Sequence, residues 1–408
     1  MDNGIKQSVL NIGTLGHVDH GKTTIVGALT GMWTDRHSES IKRNMTIKLG
    51  YADAVIKECQ DCPEPQRYTT GDKCQSCGGK VTPLFRISML DAPGHETLMA
   101  TAIAGSSVID AVLFVIAANE PCPMQQTKEH LMVINLIGVK NVIVVQTKID
   151  LVTPERARQS LEEIRAFLKG SSIEGAPIVP VMTNKGVNID VILSMLVRME
   201  KPKRDTSSDP LMYVVRSFDV NKPGINASEI KGGVLGGAII KGIFKKGERV
   251  EIRPGIEQQS QKAKRDSYKP ILTPIVGLNN GSEELDEAKP GGLIGISTEI
   301  DPSFTKADGL VGHVVGLPGK MPPTLSSITF KYHRLKRPDL EEPPFKENEA
   351  VILGIGTSTL VGFVRGSKKD NLTVDLRRPV CAEAGTKIAM LRNLGQRWRL
   401  TGYGIFGS

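Results

Sequence analysis

The sequence predicts an α/β domain on a mostly parallel, doubly wound sheet, interrupted by a cysteine knuckle and followed by two small β-barrels. Three observations carry this. Residues 9 to about 200 alternate short apolar runs with amphipathic stretches, the pattern of a parallel sheet covered by helices on both faces. Two Cys-x-x-Cys pairs break into that alternation. Beyond residue 210, glycines crowd between short β-branched runs, which suits small barrels better than more parallel sheet.

A chain of 408 residues is too long for a single core. The predicted strands of the first domain are Val9–Thr14, Phe85–Leu90, Ala111–Ala117, Val142–Gln146 and Ile178–Val181. Pro154–Lys169 has a helical period, with Ala157, Leu161, Ile164 and Leu168 recurring every three or four residues. Thr153 and Pro154 supply its cap and first turn. The polar, proline-bounded segment Lys201–Pro210 reads as a linker. A second break falls at Leu317–Pro323. Domains are therefore expected at 1–205, 206–320 and 321–408.

Gly16-His17-Val18-Asp19-His20-Gly21-Lys22-Thr23 matches G-x-x-x-x-G-K-[ST], directly after a predicted strand and before the helical run Thr24–Leu29. In that setting backbone N–H groups and a helix N-terminus converge on phosphates. Asp19, His20, Gly21, Lys22, Thr23 and Thr24 are the candidate contacts. Lys22 would bridge β- and γ-phosphates, and the Thr23 hydroxyl would ligate Mg²⁺.

Three further stretches turn a phosphate loop into a guanine switch. Asp91-Ala-Pro-Gly94 follows a strand, where an acidic residue would hold the Mg²⁺ shell. Gly94, lacking Cβ, can bring its N–H to the γ-phosphate. Thr147-Lys148-Ile149-Asp150 ends another strand; the Asp150 carboxylate can accept two N–H bonds that guanine offers and adenine does not, with the Lys148 stem over the ring. Thr46 is the candidate switch threonine, closing on Mg²⁺ only with a γ-phosphate present. His95 is placed to orient the attacking water. His95, Lys22 and Asp91 form the expected catalytic set. The fold class is thus an α/β P-loop GTPase domain followed by two β-barrel domains.

Cys59-x-x-Cys62 and Cys74-x-x-Cys77 are separated by eleven residues, a spacing that lets four thiolates converge on Zn²⁺. A structural zinc knuckle is expected at about 57–80. No apolar run approaches the roughly 18 residues of a membrane span, and no leader pattern begins the chain, so a cytoplasmic location without membrane contact is expected. The net charge of +8 favours an anionic partner such as nucleic acid.

Gly16–Thr24 (GHVDHGKTT) and Asp91–His95 (DAPGH) resemble the translational GTPases. Met45–Ala52, the knuckle, Arg216–Gly224 (RSFDVNKPG) and Arg397–Phe406 (RWRLTGYGIF) narrow the resemblance to the gamma subunit of translation initiation factor 2, archaeal type. The resemblance runs from Val9 to the end of the chain. It implies GTP/GDP with Mg²⁺ and Zn²⁺ and the carriage of methionylated initiator tRNA to the small ribosomal subunit. It also implies an alpha subunit docked on the second domain and a beta subunit on the GTPase domain. Asp19 would help hold a second Mg²⁺, and Met182, Thr183 and Asn184 would back the guanine. Three places depart from the family pattern: Asn44 for Gly, Thr147 for Asn, and Met182-Thr183-Asn184 for Ser-Ala-Leu. Asn44 puts the second Mg²⁺ site in question, Thr147 predicts guanine specificity at lower affinity, and at Met182-Thr183-Asn184 the Thr183 backbone N–H could still serve the base from a loop of different shape. Competing readings are another translational GTPase, of the elongation or selenocysteine-tRNA kind, and a nucleotide-binding scaffold with little turnover.

Overall fold

The computed structural model describes residues 5–32, 50–92, 108–258, 267–281, 283–335, 342–368 and 370–407. The chain divides into two compact units, Met1–Lys203 and Arg204–Ser408.

Unit 1 is built on seven strands: β1 (Ser8–Leu15), β2 (Gly50–Glu58), β3 (Tyr68–Thr69), β4 (Thr82–Asp91), β5 (Ala111–Ala117), β6 (Asn141–Thr147) and β7 (Ile178–Pro180). They lie in the order β3-β2-β4-β1-β5-β6-β7. From β4 to β7 every pairing is parallel; β2 and β3 add an antiparallel edge. Strand β5 is buried along its whole length, as a central strand covered on both faces must be. Leu10, Ile12, Ile87, Met89, Leu113, Val115 and Ile143 from adjacent strands share one core with Ile25, Leu29 and Ile192 from helices.

The five strands expected from the sequence are present, most of them longer by a residue or more. β2 was not expected. Its buried side is Gly50, Ala52, Ala54 and Ile56, so small residues mute the alternation that would have marked it. The helix Pro154–Leu168 starts as expected: the Thr153 hydroxyl accepts from the Arg156 N–H, with proline at the first turn. The linker is shorter than its composition suggests. Lys201 donates to the carbonyls of Leu196, Val197 and Met199, capping the helix Ile189–Arg198 with positive charge.

Unit 2 holds two closed sheets. In the first, Arg249–Gln258, Val314–Gly316, Leu211–Phe218, Val234–Lys241, Ile294–Thr298 and Ser267–Asn279 pair in sequence, and the last pairs back to the first. That closure leaves no edge among these six strands. In the second, Thr324–Lys331 heads an order that runs through Asn371–Cys381, Ser358–Lys368, Ala350–Ile355 and Lys387–Leu394 to Arg397–Ile405. The bridge from Phe330 to Phe406 brings the end of that last strand back to the first. Each barrel has its own core. Leu211, Val314 and Cys381 pack together between them, where the Thr357 hydroxyl donates to the Val214 carbonyl at 2.9 Å.

Candidate guanine-nucleotide and metal sites

The phosphate loop leaves the C-terminal end of β1, between β4 on one side and β5 on the other. That is the switch point of the strand order, where open α/β sheets bind ligands. Backbone geometry explains its glycines. Gly16 has φ +149, and a Cβ there would meet the Val115 carbonyl oxygen at 2.2 Å. Gly21 has φ +90 and caps the helix Lys22–Thr30 in a left-handed conformation. Asp19 is also left-handed, at φ 60, a conformation acidic side chains tolerate better than most.

Lys22 is buried, and its ammonium donates to the His17 carbonyl at 2.7 Å. Burial lowers its pKa to about 8 from the ordinary 10.5, against the pull of Asp91 and Asp19. Asp91, fully buried at the end of β4, accepts from the Thr23 hydroxyl at 2.6 Å and from the Thr14 hydroxyl at 3.0 Å. The sequence marked Thr23 and Asp91 but missed Thr14, which orients the carboxylate from the strand beside it. A hydroxyl and a carboxylate at this spacing are hard oxygen donors of the kind Mg²⁺ takes.

His20, expected at the nucleotide, turns its ring inward. Nδ1 lies 3.2 Å from the Val115 carbonyl and Nε2 3.3 Å from the Glu120 carboxylate. Burial drives its pKa down to about 4 although Val115 and Glu120 favour the charged form. The imidazole is therefore a neutral strut under the loop, and the His20 backbone N–H donates to the His17 carbonyl at 3.5 Å within it. Nothing in the sequence pointed to Glu120 as its partner.

On the base side, Thr147 is buried at the end of β6 and donates to the His20 carbonyl at 2.6 Å. Lys148 takes φ 57, and the short turn Ile149–Leu151 leaves Asp150 exposed. The Val181 N–H bonds to the Gln146 carbonyl at 2.8 Å, holding the following Met182–Asn184 segment beside the end of β6. Thr183 shares a recess with Thr24 and Gly27 of the phosphate-loop helix. Phosphate loop, Asp91 and Thr147–Asp150 thus converge at one end of the sheet. Thr46, Gly94, His95 and Asn44 lie outside the described residues.

The knuckle sits between β2 and β4. Cys59 directly follows β2, and its N–H donates to the Arg67 carbonyl at 2.8 Å. Sγ–Sγ distances are 3.6 Å for Cys59–Cys77 and 3.7 Å for Cys62–Cys74, and all four sulfurs lie within 4.8 Å of one another. Four thiolates about 2.3 Å from a central zinc form a tetrahedron of comparable edge. Gly78, at φ +71, makes the turn, and the Gly79 N–H donates to the Cys77 sulfur at 3.3 Å. The donor set fits zinc.

Comparison with known proteins decides the family. A family model described as Elongation factor Tu GTP binding domain matches residues 7–202, and one described as Initiation factor eIF2 gamma, C terminal, matches residues 326–406. Translation initiation factor 2 subunit gamma of Methanococcus vannielii is 50% identical over 405 residues, 98% of each chain. That of Pyrococcus abyssi is 47% identical over 406 residues, again 98% of each. The chain belongs to the gamma-subunit family of translation initiation factor 2. It is a translational GTPase that binds GTP and GDP, as its relatives' domain implies. Among solved structures, a bacterial selenocysteine-specific elongation factor aligns with TM-score 0.72 at 25% identity over 98% of this chain, which spans 58% of that longer protein. The elongation factor SelB of Methanococcus maripaludis, solved with a GTP analogue, aligns with the same score at 22% identity, covering all of this chain and 80% of that one. The fold is thus shared with selenocysteine-specific elongation factors, while the full-length identity to gamma subunits assigns the family. Among the described residues no helix is long and apolar enough to cross a membrane.

Proposed function

We propose that this gamma-family GTPase carries methionylated initiator tRNA to the small ribosomal subunit while GTP is bound and releases it after hydrolysis, working with alpha and beta subunits in the cytoplasm. The observation that supports this most is the union of Thr23, Asp91 and Thr14 at the loop mouth, in a chain half identical to gamma subunits along its whole length.

Each residue has an assigned part. The backbone of Asp19–Thr24 and the Lys22 ammonium grip the phosphates. Thr23 and Thr46 would ligate Mg²⁺, with Asp91 holding the metal's water shell and Asp19 near a second ion. Bound Mg²⁺ would supply charge neutralisation between β- and γ-phosphate oxygens. Gly94 would bring its N–H to the γ-phosphate, and His95 would orient the attacking water. Asp150 would read guanine, with Lys148 and Met182–Asn184 flanking the ring. Cys59, Cys62, Cys74 and Cys77 would hold a structural Zn²⁺.

With its alpha partner, the protein is expected to bind methionylated initiator tRNA at least tenfold more tightly with a GTP analogue than with GDP. Equal affinities in a filter-binding titration would refute the switch. Domain boundaries at 1–205, 206–320 and 321–408 belong to the same proposal and are open to limited proteolysis.

A further inference from the structure

Tyr332 sits where a strand of the last barrel changes partner. Lys331, just before it, pairs with Asn371, and His333, just after it, pairs with Tyr403. Where the two pairings part, a recess of about 700 Å³ is lined by Lys331–Arg334, Phe345, Tyr403, Ser367 and Asp370, within the range of small-ligand sites. The chain has only six tyrosines, and two of them are here, so an aromatic-poor protein concentrates rings at this place. His333 and Tyr403 stack with centroids 5.0 Å apart and planes at 24°. Phe345 meets Tyr332 edge-on at 5.1 Å and carries the Arg392 guanidinium 4.2 Å from its ring centre. The walls are thus held by the fold itself, which lowers the entropy cost of binding.

Charge is arranged around these rings. Glu342, 3% exposed, is engaged by the Arg334 Nε at 3.3 Å and by the Tyr332 hydroxyl at 3.3 Å, so the buried carboxylate is answered within the wall. Lys331 and Arg334 remain exposed, and the net charge of +8 favours an anion. We propose that this recess captures one unpaired nucleotide of a single-stranded RNA, with its base against the His333–Tyr403 pair and its phosphate on Lys331 and Arg334. Every base has a π-face to stack. Ser367 and Asp370, both exposed on the facing hairpin, can accept from a base N–H or from the ribose 2′-hydroxyl, the group that marks RNA. An A-form duplex keeps its bases stacked inside the helix and has none to insert. The contact is independent of the guanine site, so it is the same with GDP or a GTP analogue bound.

The test is fluorescence anisotropy of a short labelled oligouridylate with the intact protein saturated with GDP. Tyr403→Leu, which keeps apolar bulk but loses the ring, is expected to weaken binding fivefold or more at an unchanged salt slope, the loss of about one stacked base. Lys331→Gln should weaken it too, with a slope shallower by about 0.7, one phosphate contact on a single strand. Should Tyr403→Leu fail to fold, His333→Leu gives the same reading from the other ring of the pair. An RNA duplex of equal length is expected to bind at least tenfold more weakly. Weakening by Lys331→Gln with none from either ring variant, or a duplex bound as tightly as the single strand, would leave charge attraction alone and overturn the proposal. UMP competing as well as the oligomer would make this a free-nucleotide pocket and overturn the assignment to RNA. No binding by the unaltered protein, or 4-thiouridine cross-links mapping away from both residues 331–334 and Tyr403, would overturn it as well.

Discussion

At the scale of single residues, the site works by burying charge where a ligand will need it. The Lys22 pKa of about 8 in the folded chain stands below its ordinary 10.5 because of burial. Between those values the unfolded chain binds more protons at this residue than the folded one, so this group's contribution to stability rises with pH across that window. Phosphate favours the ammonium and reverses the preference. Binding of GDP should accordingly take up a proton above about pH 8, and affinity should fall as pH rises from 7 to 9. Calorimetry in buffers of differing ionisation enthalpy measures the uptake; none at pH 8.5 would contradict this placement of Lys22. Arg392 shows the opposite use of a buried charge. It is 1% exposed, bonded to Glu349 at 2.6 and 2.9 Å and to the Pro343 carbonyl at 2.7 Å, over the Phe345 ring. The structure makes it a clamp on the strand Ala350–Ile355 and the chain that leads into it. Arg392→Met should cost about 3 kcal/mol, the usual penalty for orphaning a buried partner; an unchanged thermal melt would deny the clamp.

At the scale of elements, what the sequence disclosed depended on how sharply each element is punctuated. The phosphate loop, β5 and the capped helix Pro154–Leu168 were legible because glycines, a continuous apolar run and a Thr-Pro cap mark them. β2 was not, because Ala52 and Ala54 fill its buried side. The inward turn of His20 was also hidden, since Glu120 and Val115 are brought to it only by the fold. The knuckle is the clearest case of spacing read correctly as geometry, with four sulfurs at the edge lengths zinc needs. One zinc per chain is expected, lost in Cys74→Ser with local loosening of β3 and its neighbours. Metal analysis showing undiminished zinc in that variant would refute the four-cysteine site.

At the scale of the whole molecule, the charge of +8 is unevenly usable. Arg392 and Arg399 are buried, and Arg365 is paired with Asp375 at 2.7 Å. Lys368, Arg377, Arg378, Lys387 and Arg397 remain exposed on the last barrel. If these meet tRNA phosphates, affinity falls steeply with salt, and charge reversal at Arg377 and Arg378 shallows that slope. The scaffold reading, nucleotide held with little turnover, gains nothing from the loop geometry, since Thr23, Asp91 and Lys22 are all in place. What joins the scales is the claim that the nucleotide's state is read at Thr23 and Asp91 through a metal and relayed to tRNA. The most direct measurement is the affinity for methionylated initiator tRNA with a GTP analogue and with GDP, each in Mg²⁺ and after its chelation. A ratio of at least ten in Mg²⁺ that collapses toward one without it is the predicted result; a ratio of one in Mg²⁺ would contradict the account.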